Sequence, residues 1–221
     1  MNDLYKPELP PLPERMRLLP LDKRGYPVPW FVMWANDEPN FQTADGEKVV
    51  RAIKESRCWI CGGILGANKV FVSGPMCGVS RVSGEPPSHF ECAEYAVRAC
   101  PFMVYPKLQR NEEKVLEGAY EVGNMIKRNP GVALLWYTRT YRVIPQRTGV
   151  LFAMGKPDKI AWFAHGRPAT RREVEASVME GFPELKSLAQ TPEEEATLMG
   201  YLQFLMQYFP KSTDSESFLV H

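Results

Sequence analysis

The apolar positions change period along the chain, and each period predicts a different kind of element. Over residues 132–144 they run together through Trp136 and then alternate with polar ones in Tyr137-Thr138-Arg139-Thr140-Tyr141-Arg142, a strand pattern. Residues 149–154 and 159–164 repeat it, with turn residues at Gly149 and in Gly155-Lys156-Pro157-Asp158, so the three strands are expected to form an antiparallel meander. Residues 111–129 switch to steps of three and four, in Val115, Leu116, Ala119, Val122, Met125 and Ile126. Pro130-Gly131 ends that run, which predicts one amphipathic helix. Thr170 with Glu173 makes a capping box for a helix reaching about Met179, and Thr191-Pro192 opens another. In that last helix Leu198, Leu202, Leu205 and Phe209 share a stripe that Met199 and Met206 widen. Such a stripe calls for burial of nearly half the circumference or, alternatively, for pairing with a partner or a second copy in a homo-oligomer.

The N-terminal stretch obeys no period. Eight of the 20 prolines lie within residues 1–39, which removes backbone donors and rules out a long helix or a central strand. Yet Leu18, Leu19, Tyr26, Val28, Trp30, Phe31, Val32 and Trp34 make it too apolar for a free linker. An extended arm wrapping the core is expected, with a strand over residues 30–34. Leu9-Pro10-Pro11-Leu12-Pro13 also has the composition of a ligand for an aromatic groove. Residues 46–57 suit a short helix leading to Cys58. Further on, Lys69-Val70-Phe71-Val72-Ser73 alternates and Gly74-Pro75 breaks it, a hairpin signal. Glu85-Pro86-Pro87 stops any strand, and Ser88 followed by Glu91 reads as a capping box that starts a helix.

At 44% hydrophobic and 24% charged residues, the chain has the balance of a folded protein. No run approaches the roughly 18 apolar residues of a membrane span, and the first residues lack a signal-peptide pattern, so a cytoplasmic location without membrane contact is expected. The formal charge of +1 is unevenly spread: residues 1–106 carry 12 basic and 12 acidic side chains, 107–172 carry 13 and 5, and 173–221 carry 2 and 9. A basic centre therefore meets an acidic C-terminal region, either as facing surfaces or as a basic face offered to an anionic partner. Five cysteines, an odd number confined to residues 58–100, suit metal ligation in a reducing compartment better than a disulfide framework.

Four of the soft ligands come in two pairs, Cys58-Trp59-Ile60-Cys61-Gly62-Gly63 and His89-Phe90-Glu91-Cys92. Glycines behind the first pair permit a tight knuckle whose thiolates converge, and the spacing of the second puts both side chains on one helical face. Cys58, Cys61, His89 and Cys92 are expected to hold one structural Zn²⁺, with Cys77 as an alternative to His89. Three thiolates and one imidazole fill a tetrahedron, whereas a catalytic zinc keeps a position open for water. The order is also the reverse of that in zinc deaminases, whose H-x-E precedes P-C-x-x-C. Knuckle, hairpin and helix in succession make a treble-clef-like unit. Treble-clef nucleases need further histidines to activate water, and only His165 and His221 remain.

A second candidate is a surface. Tyr137, Arg139, Tyr141 and Arg142, together with Arg171 and Arg172, combine rings and guanidinium groups of the kind that stack bases and hold phosphates. The other reading of the same residues is a half-buried sheet whose arginines reach solvent. In one continuous strand Tyr137, Arg139 and Tyr141 share a face and Arg142 lies opposite. No nucleophile with its base and no phosphate-cradling glycine loop can be read, so an enzyme would have to assemble groups such as Arg81, Glu85, Arg139 and His165 from afar.

Residues 25–32, the Cys58 knuckle, Gly74-Pro75-Met76-Cys77, residues 85–102 and residues 166–174 resemble a family of proteins encoded in bacteriophages and prophages, and the resemblance covers most of the length apart from the tail. It implies a phage origin and action inside an infected bacterium, and carries no activity with it. The expectation is an α+β protein: an extended Pro-rich arm (1–45), a treble-clef-like zinc unit (46–106), a helix, a small antiparallel sheet and two C-terminal helices (107–210), and a tail (211–221). Its expected role is that of a zinc-stabilised, non-enzymatic interaction protein binding a host protein or nucleic acid in counter-defence or host takeover. A nuclease or nucleotide-processing enzyme is the alternative.

Overall fold

Local sequence sets the first elements of the computed structural model, which describes residues 9–105 and 129–211. Between residues 9 and 31 the arm holds a 3-10 turn, Glu14–Met16, and a bridge between Leu21 and Pro27. It then forms a hairpin of β1 (Val32–Ala35) and β2 (Glu38–Ala44). The turn residues Asn36 and Asp37 both have positive φ, 51° and 60°, a conformation that Asn and Asp tolerate better than other side chains. Helix α1 (Gly46–Lys54) starts at Asp45, whose carboxylate accepts from the N–H groups of Glu47 and Lys48. The chain continues through β3 (Lys69–Ser73), α2 (Pro75–Ser80), β4 (Val82–Ser83), α3 (Phe90–Ala99) and α4 (Pro101–Val104). After the undescribed stretch come β5 (Ala133–Thr138), β6 (Tyr141–Gln146), β7 (Gly149–Met154), β8 (Lys159–Ala164), β9 (Arg167–Pro168), α5 (Arg171–Ser187) and α6 (Pro192–Met206).

The fold is mixed α and β, with small antiparallel sheets. One sheet has the order β3-β5-β8-β9, a second has β4-β7-β6, and the β1-β2 hairpin stands as a third. Strand β5 is central and buried on both faces, so its apolar residues run together instead of alternating. On one face Leu134 and Trp136 join Phe71, Ile160 and Trp162 in the main core, closed by Phe152 of the second sheet and by Val174, Val178, Leu202 and Leu205 of the C-terminal helices. On the other, Leu135 meets Val70, Phe163 and the α3 residues Ala93 and Val97. Each such fully buried side chain contributes about 1.5–3 kcal/mol. Helix α3 is thereby fixed to the sheet face opposite α5 and α6.

Several expectations need correction. Gly74-Pro75 ends β3 as predicted, but Pro75 at the first helical position starts α2 instead of a hairpin turn, and β3 pairs with β5. The strand over residues 132–144 is broken at Arg139-Thr140, where the Thr138 hydroxyl accepts from the Thr140 N–H (3.3 Å) and shares its one proton between the carbonyls of Thr140 (3.0 Å) and Lys156 (2.9 Å), folding the backbone into a turn. β5 and β6 consequently lie in different sheets, the predicted meander is confined to β6 and β7, and β8 returns to β5. Helix α5 has the predicted Thr170–Glu173 capping box but runs to Ser187, well past Met179 and through Pro183. In α6 Thr191 and Pro192 act as predicted, yet Met199 and Met206 are 40% and 45% exposed, so the buried stripe of Leu202 and Leu205 is narrow, and buried Phe209 lies past the helix end. The helix expected over 111–129 and the tail beyond Lys211 fall outside the described residues. Among the described residues no helix is long and apolar enough to cross a membrane.

Candidate metal centre

The knuckle closes through its backbone. Cys58 N–H donates to the Gly63 carbonyl (2.7 Å) and Gly62 N–H to the Cys58 carbonyl (2.9 Å), while Arg57 and Ile64 form a bridge at its base. Gly62 has φ +74°, and a Cβ there would stand 2.7 Å from Cγ of Trp30, so glycine is required both for the turn and for the ring beside it. The second ligand pair is placed by β3: Val70 and Ser88 exchange backbone hydrogen bonds of 2.9 and 2.7 Å, which delivers His89 and Cys92 at the start of α3. The donor atoms of Cys58, Cys61, His89 and Cys92 all lie within 4.8 Å of one another. That separation is comparable with the edge of about 3.8 Å that follows for a tetrahedron with zinc–sulfur bonds of about 2.3 Å.

His89 is oriented by its second nitrogen. Nε2–H donates to the Ile64 carbonyl at 2.9 Å, which leaves Nδ1 facing the sulfurs, 3.3 Å from Cys61 Sγ. Cys58 Sγ accepts from the N–H groups of Cys61 (3.4 Å) and His89 (3.3 Å). The predicted Ser88–Glu91 capping box is therefore absent: His89 is the N-cap, a sulfur takes its N–H, and Glu91 instead accepts from Arg15 Nε at 2.7 Å. A thiolate gains from this place at a helix N-terminus.

Electrostatics concentrates negative charge on one sulfur. Burial works against ionising Cys58, but its hydrogen bonds with Cys61, Cys92 and His89 outweigh it and hold the thiol far below the ordinary range. Hydrogen bonding to Cys58 and Cys61, then burial, pushes the Cys92 thiol up. The same two cysteines push His89 up to about 10. A divalent cation bound here would displace the protons that Cys92 and His89 otherwise keep. The guanidinium of Arg15, held up chiefly by Glu91, also feels Cys61 and Cys92.

The other sequence candidates do not gather. Cys77 sits in α2 outside the cluster, its thiol pushed up to about 11 by burial and then by Glu85, so the fourth member of the group that could hold an ion is His89. Cys100, at the end of α3, is likewise raised by burial. Because the strand breaks at residue 139, Tyr137 and Tyr141 do not share a strand face: Tyr137 packs on Phe90 (5.7 Å between centroids) and Tyr141 edges Phe71 (5.8 Å). Arg139 pairs with Asp158 at 3.2 Å and Arg171 with Glu175 at 2.6 Å, while Arg142 and Arg172 are exposed. The pairing of Tyr137 with Lys159 and of Ala133 with Phe163 puts Arg139 and His165 at opposite ends of the sheet. At about 3.3 Å per residue they stand about 26 Å apart along the strands, so they belong to no common site. Arg81 is held between the rings of Tyr201 (4.3 Å) and Phe204 (4.2 Å) of α6.

Sequence reasoning missed a groove of about 490 Å³ beside the knuckle, where the arm crosses it; Leu18, Trp30, Trp34, Arg15 and Lys48 line it with Cys61, Gly62 and Gly63. Its local signal was the Asn36-Asp37 turn after an apolar run, which would have predicted the β1-β2 hairpin that carries Trp34. No protein-family model, curated protein or solved structure matches the chain.

Proposed function

We propose that this chain is a zinc-stabilised, non-enzymatic interaction protein of bacteriophage or prophage origin, which binds a host protein or a nucleic acid in the bacterial cytoplasm. The observation that carries the reading is the convergence of three cysteines and one histidine, Cys58, Cys61, His89 and Cys92, within 4.8 Å. Three thiolates and one imidazole suit zinc and complete its tetrahedron, which leaves it no place for a reacting water. The unit is treble-clef-like in having a knuckle, a strand and a helix in order, although its strand β3 finds its partner in β5. One such ion contributes on the order of 10 kcal/mol to the folded form. Arg139 and His165 lie at opposite ends of the β5–β8 pair, which argues against the catalytic assembly the sequence left open. Phage origin rests on the resemblance of the segments named above.

Elemental analysis of the purified chain is expected to find about one zinc per molecule, lost in Cys58→Ser. Affinity capture from a bacterial host by the zinc-loaded chain is expected to retain a partner that Cys58→Ser does not. Oligonucleotide binding that weakens with salt would select the nucleic-acid branch. Absence of bound metal, or turnover of a nucleotide or nucleic-acid substrate by the pure protein, would sink the reading.

A further inference from the structure

The geometry points to the groove beside the metal centre as the docking site for an extended, acidic segment of a partner protein. This inference rests on the interaction reading and narrows it to one surface and one chemistry. Leu18 is 98% exposed and Trp34 is 42% exposed on the groove's walls, the kind of apolar surface that marks a contact site when it is contiguous. Behind them the wall is rigid: Trp30 donates its N–H to the Ile60 carbonyl at 2.7 Å, and its ring lies against Gly62. The metal-closed knuckle thus preorganises the groove, so little ordering is left for binding.

Two features choose the occupant. Among the described residues the charged side chains lining the groove are Arg15 and Lys48, both cations. Arg15 engages Glu91 through Nε, which leaves the terminal nitrogens of its guanidinium for a second carboxylate; Lys48 is shared with Asp45 at 3.3 Å and with the Val32 carbonyl. The second feature is a strand edge. Among the described residues β1 pairs only with β2. The Ala35–Glu38 pair closes the two-residue turn, so the next pair, Trp34–Pro39, is of the non-hydrogen-bonded kind and the Trp34 N–H and C=O point to the open edge. Val32, on the same edge, is already engaged by the Pro29 carbonyl (3.0 Å) and by Lys48 Nζ (3.0 Å), so an extended backbone can pair at Trp34, set an apolar side chain between Trp34 and Leu18, and bring a carboxylate to Arg15 or Lys48. Stacked bases fit less well, because Gly62 lies against the Trp30 ring and the Arg51 guanidinium stands over it, 5.6 Å from the centroid.

The test pans a displayed library of short random peptides against the zinc-loaded full chain. Enriched sequences are expected to combine Asp or Glu with Leu, Phe or Trp, and synthetic copies should lose about tenfold or more in affinity to Trp34→Ala and to Leu18→Glu. Leu18→Lys, which keeps the sign of the groove, should weaken them far less than Leu18→Glu. Retained zinc and an unchanged unfolding midpoint confirm that each variant is folded. No enrichment, enrichment without acidic bias, or affinity indifferent to both Trp34→Ala and Leu18→Glu overturns the assignment. So does a labelled oligothymidylate that competes with the peptides and is lost in the same variants, since the groove would then hold nucleic acid. A host partner captured equally by wild type and Trp34→Ala leaves the interaction reading standing and sinks this one alone.

Discussion

Gly62 shows how a single residue ties the metal centre to the rest of the molecule. Its φ of +74° and the 2.7 Å approach that a Cβ would make to Trp30 are independent reasons for glycine. Gly62→Ala is therefore expected to destabilise by about 1–3 kcal/mol, read from the denaturant midpoint with Trp fluorescence. Gly63 is the control. A Cβ there meets Cys61 Sγ and His89 Cε1 at 3.5 Å, ordinary contact, and Gly63→Ala should change the midpoint by less than about 0.5 kcal/mol. The four converging side chains were legible in the sequence because each pair lies within one local turn, where spacing dictates geometry. The cap of α3 was not. Ser88 and Glu91 satisfy the local rule, but the acceptor for the His89 N–H is the sulfur of Cys58, 31 residues earlier, and Glu91 is drawn to Arg15, 76 residues earlier.

Helices and strands were legible as elements more than as partners. β7 and β8 occupy the predicted residues, yet neither spacing nor propensity reveals that β8 returns to β5, because that choice is made by a threonine hydroxyl at the end of β5 and by burial on both faces of the sheet. In α6 the periodic stripe was correct and its width was not. Leu205 is fully buried and Met199 is 40% exposed, so Leu205→Ala should cost about 2–5 kcal/mol and Met199→Ala less than about 0.5 kcal/mol in thermal or denaturant unfolding. At the start of α5, hydrogen bonding to Arg167, followed by opposing burial and by the Thr170 backbone and hydroxyl, brings the Glu173 carboxyl down to about 2 from an ordinary 4.5. A depressed carboxyl contributes its stability above its unfolded value and loses it as pH falls through the folded one. The loss therefore falls between pH 4.5 and about 2. Since the Arg167 side chain is 50% exposed, solvent screening keeps the effect small. About 1 kcal/mol is expected for the cap as a whole. Glu173→Gln should flatten the acid limb of the stability profile in that window; an unchanged limb would remove the Arg167–Glu173 pair from the argument.

At the scale of the whole molecule, the metal cluster and the main core occupy different places. Cys58 and Cys92 pack with Met16 of the arm and with Ile60, Leu65, Tyr95 and Ala99, a group that shares no buried member with the main core around Leu134, Trp136 and Leu205. Two links join them: α3, through Ala93 and Val97 against Val70, Leu135 and Phe163, and Trp59 of the knuckle, whose neighbours Ile53 and Val150 also pack on the main core. An ion held by the four side chains would cross-link Cys58-Cys61 to His89-Cys92, and its removal would take nothing from the sheet face that α5 and α6 cover. Chelation is accordingly expected to release the knuckle, the arm around Met16 and Trp30 and the first turn of α3, while β5 and α6 stay protected. Hydrogen exchange read by mass spectrometry, with and without a strong zinc chelator, measures this directly. Amides of Cys58 and Gly62, bonded within the knuckle, and of Trp30, bonded from the arm to the Ile60 carbonyl, all at 2.7–2.9 Å, should exchange first. If β5 loses protection at the same chelator concentration as the knuckle, the two regions fold as one unit and the ion supports the main core as well. If they separate, the proposed zinc would serve chiefly to hold the arm and the groove walls in place, and its loss should abolish peptide capture while leaving the C-terminal half folded.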